Sequence, residues 1–312
     1  MKIELKTSKI PTIIVAAFAL TCAPGVPSFA QATPDSSSGL PVKDIEQIMA
    51  VQGTVDNGVL DLSIDRNDLQ PARGPVYRPI VLTPSFELNG DVFFQPLAGG
   101  KAFMNGDLCV KEDETQRFIA ALINHGLVWQ AYHQHFPSHP QYWFIHFRGK
   151  GDPLALARGA RAAIDTTSTP LPQSPPPHPS TPLDVERLGD ILHASSISVG
   201  SDGVVTAWIY RTDRITIDGV VVNPQANIST NVEFKPIGGS NAAVVADFSM
   251  TSSEVQKVVD LMFNHHDWAQ GCLYNQETDE HPQLFFDHML NRGNAYELAE
   301  QIRQGLNLTA AQ

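Results

Sequence analysis

The strongest restriction on the fold is that the chain repeats itself. Tyr132-His133-Gln134-His135, His139-Pro140-Gln141 and Phe144-Ile145-His146 recur, altered, as Tyr274-Asn275-Gln276-Glu277, His281-Pro282-Gln283 and Phe286-Asp287-His288. Upstream, Arg66-Asn67-Asp68 is matched by Arg211-Thr212-Asp213, Phe94-Gln95-Pro96 by Phe234-Lys235-Pro236, and Asp107 by Asp247. A single long-period repeat with the same order of motifs is a duplicated domain rather than a solenoid.

Each copy reads as α+β. In the first, Val42 to Val51 has helical spacing in Ile45, Ile48 and Met49. Asn57-Gly58 marks a hairpin turn before Val59 to Ile64, which alternates apolar and polar. Two strands joined through Gly99-Gly100 follow, then a helix from Asp113 to Asn124 with Phe118, Ile119, Leu122 and Ile123 on one stripe. Two histidine-bearing strands come next. Asp152 caps a closing helix with Pro153 at its first position. The second copy repeats this with Asp202-Gly203 as the turn, a capping box Thr251-Ser252-Ser253-Glu254, and a closing helix from Ala295 to Leu306. The expected architecture is two tandem related domains, each an antiparallel sheet with packed helices in a ββββαββα-like order. The first spans 42–165 and the second 185–308. Between them, residues 166–184 hold prolines at 170, 172, 175, 176, 177, 179 and 182, which predicts an extended, mobile spacer.

The N-terminus reads as a leader. Lys2, Lys6 and Lys9 precede an apolar run from Ile10 to Cys22, and Ser28-Phe29-Ala30 offers a small-x-small cleavage site. The run is too short to span a bilayer, and no later run is long and apolar enough. Residues 1–30 are therefore expected to be a signal peptide and 31–41 a disordered tether, with the protein periplasmic or secreted. Cys22 fits a lipoprotein signal poorly, because Ala19-Leu20-Thr21 precedes it. The net charge is −12, and removing the three leader lysines makes it more negative. A chain of that sign repels nucleic acid and anionic lipid. Cys109 and Cys272 sit at non-equivalent places in the two copies; a disulfide and two buried thiols are both compatible with the sequence.

The chemistry concentrates in the first copy. On a strand, residues two apart share a face, so His133 and His135 stand side by side. If His135 pairs with Tyr142, His146 joins them; a slip of one residue sends it to the other face. Three imidazoles on one face suit a divalent transition metal, zinc first, with copper or iron fitting the same ligands. His133, His135 and His146 are thus the candidate metal ligands. A simple alignment replaces His133 by Asn275 and His135 by Glu277 in the second copy, so one site, in the first copy, is expected. His139 is read as a loop residue and His265-His266 as a helix end.

With the halves aligned, the chain resembles the LppY/LpqO family of bacterial envelope proteins, a domain of unknown function. The resemblance rests on Gly106-Asp107, Glu114, Gly126-Leu127, Tyr132-His133-Gln134-His135, Pro140, Phe144-Ile145-His146 and Gly149-Lys150-Gly151-Asp152, and in the second copy on Asp247, Glu254, Pro282, Phe286 and His288. It covers nearly all of residues 42–308 and implies export and duplication, but no reaction. The expected function is an exported protein with a single metal site. The alternative is a module without metal, either structural or binding a small molecule between its two repeats. No Ser nucleophile elbow or phosphate loop is present in context.

Overall fold

The computed structural model describes residues 39–311. The expected signal peptide, Cys22 and all but the last residues of the expected tether lie outside them. No helix among the described residues is long and apolar enough to cross a membrane.

The first repeat opens with α1 (Val42–Met49), whose Ile45 and Met49 are buried. The Asn57-Gly58 turn joins β1 (Thr54–Asp56) to β2 (Val59–Ser63). A short arm, β3 (Ala72–Arg73) and β4 (Val81–Leu82), leads to β5 (Asp91–Leu97) and β6 (Lys101–Val110). Then come α2 (Thr115–Asn124), β7 (Val128–His133), β8 (Trp143–Gly151) and α3 (Pro153–Ile164). Asp152 caps α3 by accepting from the Ala155 N–H, as its position before Pro153 predicts.

The second repeat has the same sequence of elements. These are α4 (Val185–Leu192), β9 (Ser196–Val199), β10 (Val205–Ile209), a small pair β11 (Thr216–Ile217) and β12 (Val220–Val221), β13 (Thr230–Gly238), β14 (Asn241–Thr251), α5 (Ser252–Asp260), β15 (Ala269–Tyr274), β16 (Glu280–His281), β17 (Leu284–Asn294) and α6 (Ala295–Leu306). The capping box of Thr251 and Glu254 starts α5. That helix continues into a wider π-helical turn over Leu261–His265.

Each repeat forms one six-stranded antiparallel sheet. The orders are β1-β2-β5-β6-β8-β7 and β9-β10-β13-β14-β17-β15, which are the same topology. One face of each sheet packs on its own helices. Leu60, Leu62, Phe94, Ile145 and Phe147 meet α1, α2 and α3 in the first core, and Val205, Ala207, Phe234 and Met289 meet α4, α5 and α6 in the second. The other faces meet each other. Cys109, Tyr142 and Phe144 share a cluster with Val245 and Leu290, and Phe93 shares another with Trp208 and Phe286. The result is four layers: helices, sheet, sheet, helices.

A buried arginine ties each repeat together. Arg66 gives Nη2 to Glu114 at 2.9 Å and bonds Asp68 and the Cys109 carbonyl. Arg211 does the same with Glu254, Asp213 and the Ser249 carbonyl. The repeated Arg-x-Asp motif therefore serves to anchor the start of the middle helix. The proline-rich stretch contains no helix, but it is not a free spacer. The Gln173 backbone bonds Ala50 and Gln52, and its side chain bonds the Asp65 backbone. Polyproline-like chain leaves its own backbone groups unpaired, so it can be pinned wherever another strand edge offers partners. Cys109 and Cys272 are free thiols.

Candidate metal centre between the repeats

The histidine hairpin takes the register in which all three imidazoles share a face. His133 pairs with Phe144 and Ala131 with His146. Strand β7 ends at His133, so His135 lies in the bend beyond it. This face is the one turned toward the second repeat, where Phe144 packs and not the helices.

Consequently the first repeat does not hold the histidines alone. His135 stacks on Phe144 on one side and on His288 on the other, with ring centroids 3.4 and 3.6 Å away. Its Nδ1 lies 2.9 Å from Glu87 Oε2. Potential ligand atoms of Glu87, His135 and His288 all lie within 4.8 Å of one another. His133 and His146 are beside this triad but form a separate pair, with Nε2 atoms 2.9 Å apart. The expected ligands His133, His135 and His146 all belong to the first repeat, whereas the tightest candidate group draws Glu87 and His135 from one repeat and His288 from the other. Sheet-on-sheet packing caused this, because it buries the histidine face against the equivalent face of its partner.

The electrostatics favour a cation. Glu87 is 7% exposed and His288 2%. Burial, then the carboxylates of Glu233, Asp247 and Asp107, push Glu87 well above the usual carboxylate range. Burial likewise raises Asp247, to about 8. It lowers His135, His146 and His288 well below their ordinary values and His133 to about 3. The histidines are therefore neutral, which is the form that binds metal. Buried carboxyl groups among neutral imidazoles are donors that a metal ion would suit, since a cation there would favour their ionised form.

Backbone strain points to the same residue. Glu87 has φ +74°. That left-handed conformation is uncommon for Glu and costs of order 1–3 kcal/mol, and such outliers gather at ligand sites. Counting back from Val92 and Val232, which pair with Gly106 and Ala246, its counterpart is Asn227, at φ +61°. Asparagine tolerates that conformation and glutamate gains nothing from it locally. The two aspartates recognised in the sequence stand at one further shared register. Asp107 lies opposite His146 and Asp247 opposite His288. Asp247 Oδ1 is 3.6 Å from His288 Nδ1.

The simple alignment of the copies also needs correction. Tyr274 pairs with Phe286 as His133 pairs with Phe144, so Tyr274, not Asn275, takes the place of His133. By the same count Gln276 takes the place of His135. It donates to the Asn227 carbonyl at 2.6 Å, beside the counterpart of Glu87. Near it the Arg148 guanidinium meets Glu277 at 3.4 Å, both buried. The mirror position of the triad is therefore Asn227, Gln276 and His146, with neutral amides for glutamate and histidine. Glu87 belongs to none of the repeated sequence motifs. Comparing it with Asn227 was the signal that would have singled it out.

A cavity of about 50 Å³ lies among Glu87, His135, His146, Asp247, Tyr274 and His288. Cys272 Sγ closes the group at 3.6 Å from Nδ1 of both His133 and His288. Burial raises its thiol far above the ordinary value, so it is no thiolate here. Gly271 permits the closeness, since a Cβ there would sit 2.6 Å from the carbonyl oxygens of His135 and His288.

No curated protein matches this chain. Two solved structures align with it, EtuB from Clostridium kluyveri and a trimeric bacterial microcompartment shell protein, PduB. Each is 10% identical, over 83% of this chain and 91% of the other, at a TM-score of 0.21. That likeness is too weak to carry an argument. The sequence match is of another order: residues 43–166 and again 186–308 fit the family described as Domain of Unknown Function (DUF1259), so the chain belongs to that family in two tandem copies.

Proposed function

We propose that the protein binds one divalent transition-metal ion between its repeats, through Glu87, His135 and His288, and that it does so outside the cytoplasm, as its N-terminal sequence implies. The observation that carries this reading is the convergence of those ligand atoms within 4.8 Å in a buried, carboxylate-rich centre. Two imidazoles and one carboxylate are the donor set of many catalytic zinc sites and of non-haem iron(II) sites. Zinc is the first choice because it needs no particular d-electron geometry. Three protein ligands leave a position for water or a small ligand, and the adjoining cavity gives it room. His133 and His146 supply a neutral imidazole wall beside the ion.

Elemental analysis of protein purified from metal-replete medium tests this. One equivalent of a transition metal is expected in the wild type and less than a tenth of that in His135→Gln/His288→Gln, with the fold verified by circular dichroism. An empty wild-type protein, or a folded double variant that keeps its metal, overturns the reading.

A further inference from the structure

A second, larger cavity lies beside the first. It occupies about 270 Å³ between the β1-β2-β5 end of one sheet and the β9-β10-β13 end of the other, with Gln173 and Pro175 of the proline-rich stretch along its wall. Asn89, Asp91, Trp208, Asn231 and Glu233 line both cavities, so the larger one shares a wall with the cavity at the candidate metal centre.

Its walls follow from strand alternation. On β2, Leu60 and Leu62 enter the helix-side core, so Asp61 and Ser63 turn toward the cleft. On β10, Val205 and Ala207 face their helices, leaving Thr206 and Trp208 for the cleft. Among the described residues, the charged ones lining it are Asp61, Asp65, Asp91 and Glu233, without a lysine, arginine or histidine. Lys235 feels Glu233, but its ammonium donates to Thr83 Oγ1 and does not line the cleft.

Asp61 Oδ1 and Asn231 Oδ1 are shut from solvent without a partner, and both are acceptors. At the inner end His146, 4% exposed, lines the small cavity and has an unpartnered Nδ1. Burial and neighbouring carboxylates raise Asp61 well above its ordinary range and Asp91 to about 6, with Ser63 opposing. An occupant must therefore bring donors. An anion would meet four acidic side chains and no counter-charge. A neutral sugar would satisfy the acceptors but bring no charge that lets these buried acids ionise. An ammonium group answers both needs, and Trp208 offers an aromatic surface beside it.

We propose that this cleft is the ligand channel of the metal centre and that it takes a small organic cation, a primary amine with further hydrogen-bond donors, held by Asp61 and Asp91. This deepens the metal reading by naming the class of molecule that reaches the ion.

Isothermal calorimetry with glucosamine, glucose and glucose 6-phosphate isolates the charge on one scaffold, and putrescine provides an amine without the ring. Titrations use the full-length mature chain, metal-loaded and chelator-treated, with metal content measured on the same samples. Expected results are binding of glucosamine and putrescine, no binding of glucose or glucose 6-phosphate, and at least a tenfold loss in Asp61→Asn/Asp91→Asn with metal content unchanged. The unchanged metal content reports that this variant is folded. Binding of glucose as tightly as glucosamine, binding of the phosphate, or amine binding unaffected by the double variant overturns the proposal. So does failure of both amines. An empty metal site overturns the metal reading instead, and amine binding to that metal-free protein would keep the cleft assignment.

Discussion

His133 and Tyr274 lie face to face with ring centroids 3.7 Å apart, although they hold the same position in their two repeats. The duplication has therefore brought equivalent positions together at its centre, where each copy has diverged. One contributes an imidazole and the other a phenol. Around that stack, Glu87, His135 and His288 face one way, and Asn227, Gln276 and His146 are their counterparts.

The asymmetry can be reversed. Replacing Asn227→Glu and Gln276→His together is expected to rebuild the mirror triad with His146. Elemental analysis should then rise from one to two metal equivalents per chain. A variant that folds and still holds one would mean that the buried Arg148–Glu277 pair already supplies the positive charge at that position.

Gly271→Ala tests how closely the repeats must approach. The added methyl would overlap the carbonyl oxygens of His135 and His288 and lie closer still to Phe136. Overpacking of this kind costs about 1–3 kcal/mol. A lower Tm and roughly tenfold weaker metal binding are expected, read by thermal unfolding and competition with a chelator. Unchanged values for both would show that the β15 edge yields freely.

Acid should loosen the first repeat through Glu114. Burial opposes its charge, but the Lys111 N–H, the Arg66 guanidinium and Ser168 overcome that and hold it at about 2 instead of 4.5. A depressed carboxylate stabilises the fold above its unfolded pKa, and the contribution is lost as pH falls from about 4.5 through about 2. The shift corresponds to roughly 3 kcal/mol. Glu114→Gln should flatten the stability profile across that window and lower stability at pH 7, because Arg66 then keeps only Asp68 as a charged partner at hydrogen-bond distance. Urea unfolding at a series of pH values measures both.

Cleavage between Ser174 and Pro182 should leave the halves together. They share two apolar clusters, one around Phe144 and Leu290 and one around Phe93 and Trp208. Gel filtration of the nicked protein is expected to give a single peak at the intact mass. Two peaks would mean that the inter-sheet core does not hold without the covalent link.

Local patterns in the sequence carry the helices, caps and strand order of each repeat. Asp152-Pro153, Thr251 with Glu254, and the Asn57-Gly58 turn satisfy backbone groups within a few residues, so their effect is legible one segment at a time. The duplicated Arg-x-Asp motif was legible as a pattern, but its anchoring role depended on Glu114 and Glu254, 48 and 43 residues away in the two copies. Alternation also showed that Asp61 and Ser63 turn away from the helices. It could not say what they turn toward, because a strand's polar face has the same sequence whether it meets water or a second polar face. Packing of the two sheets decided that. It converted a polar face into a cleft and brought His288 against His135. It also made the relevant acid Glu87, a residue on an irregular segment with φ +74° and no periodic signal of its own. The candidate ligand types were written in the chain, but their grouping was not, since distances between repeats depend on surfaces meeting and not on spacing along either strand.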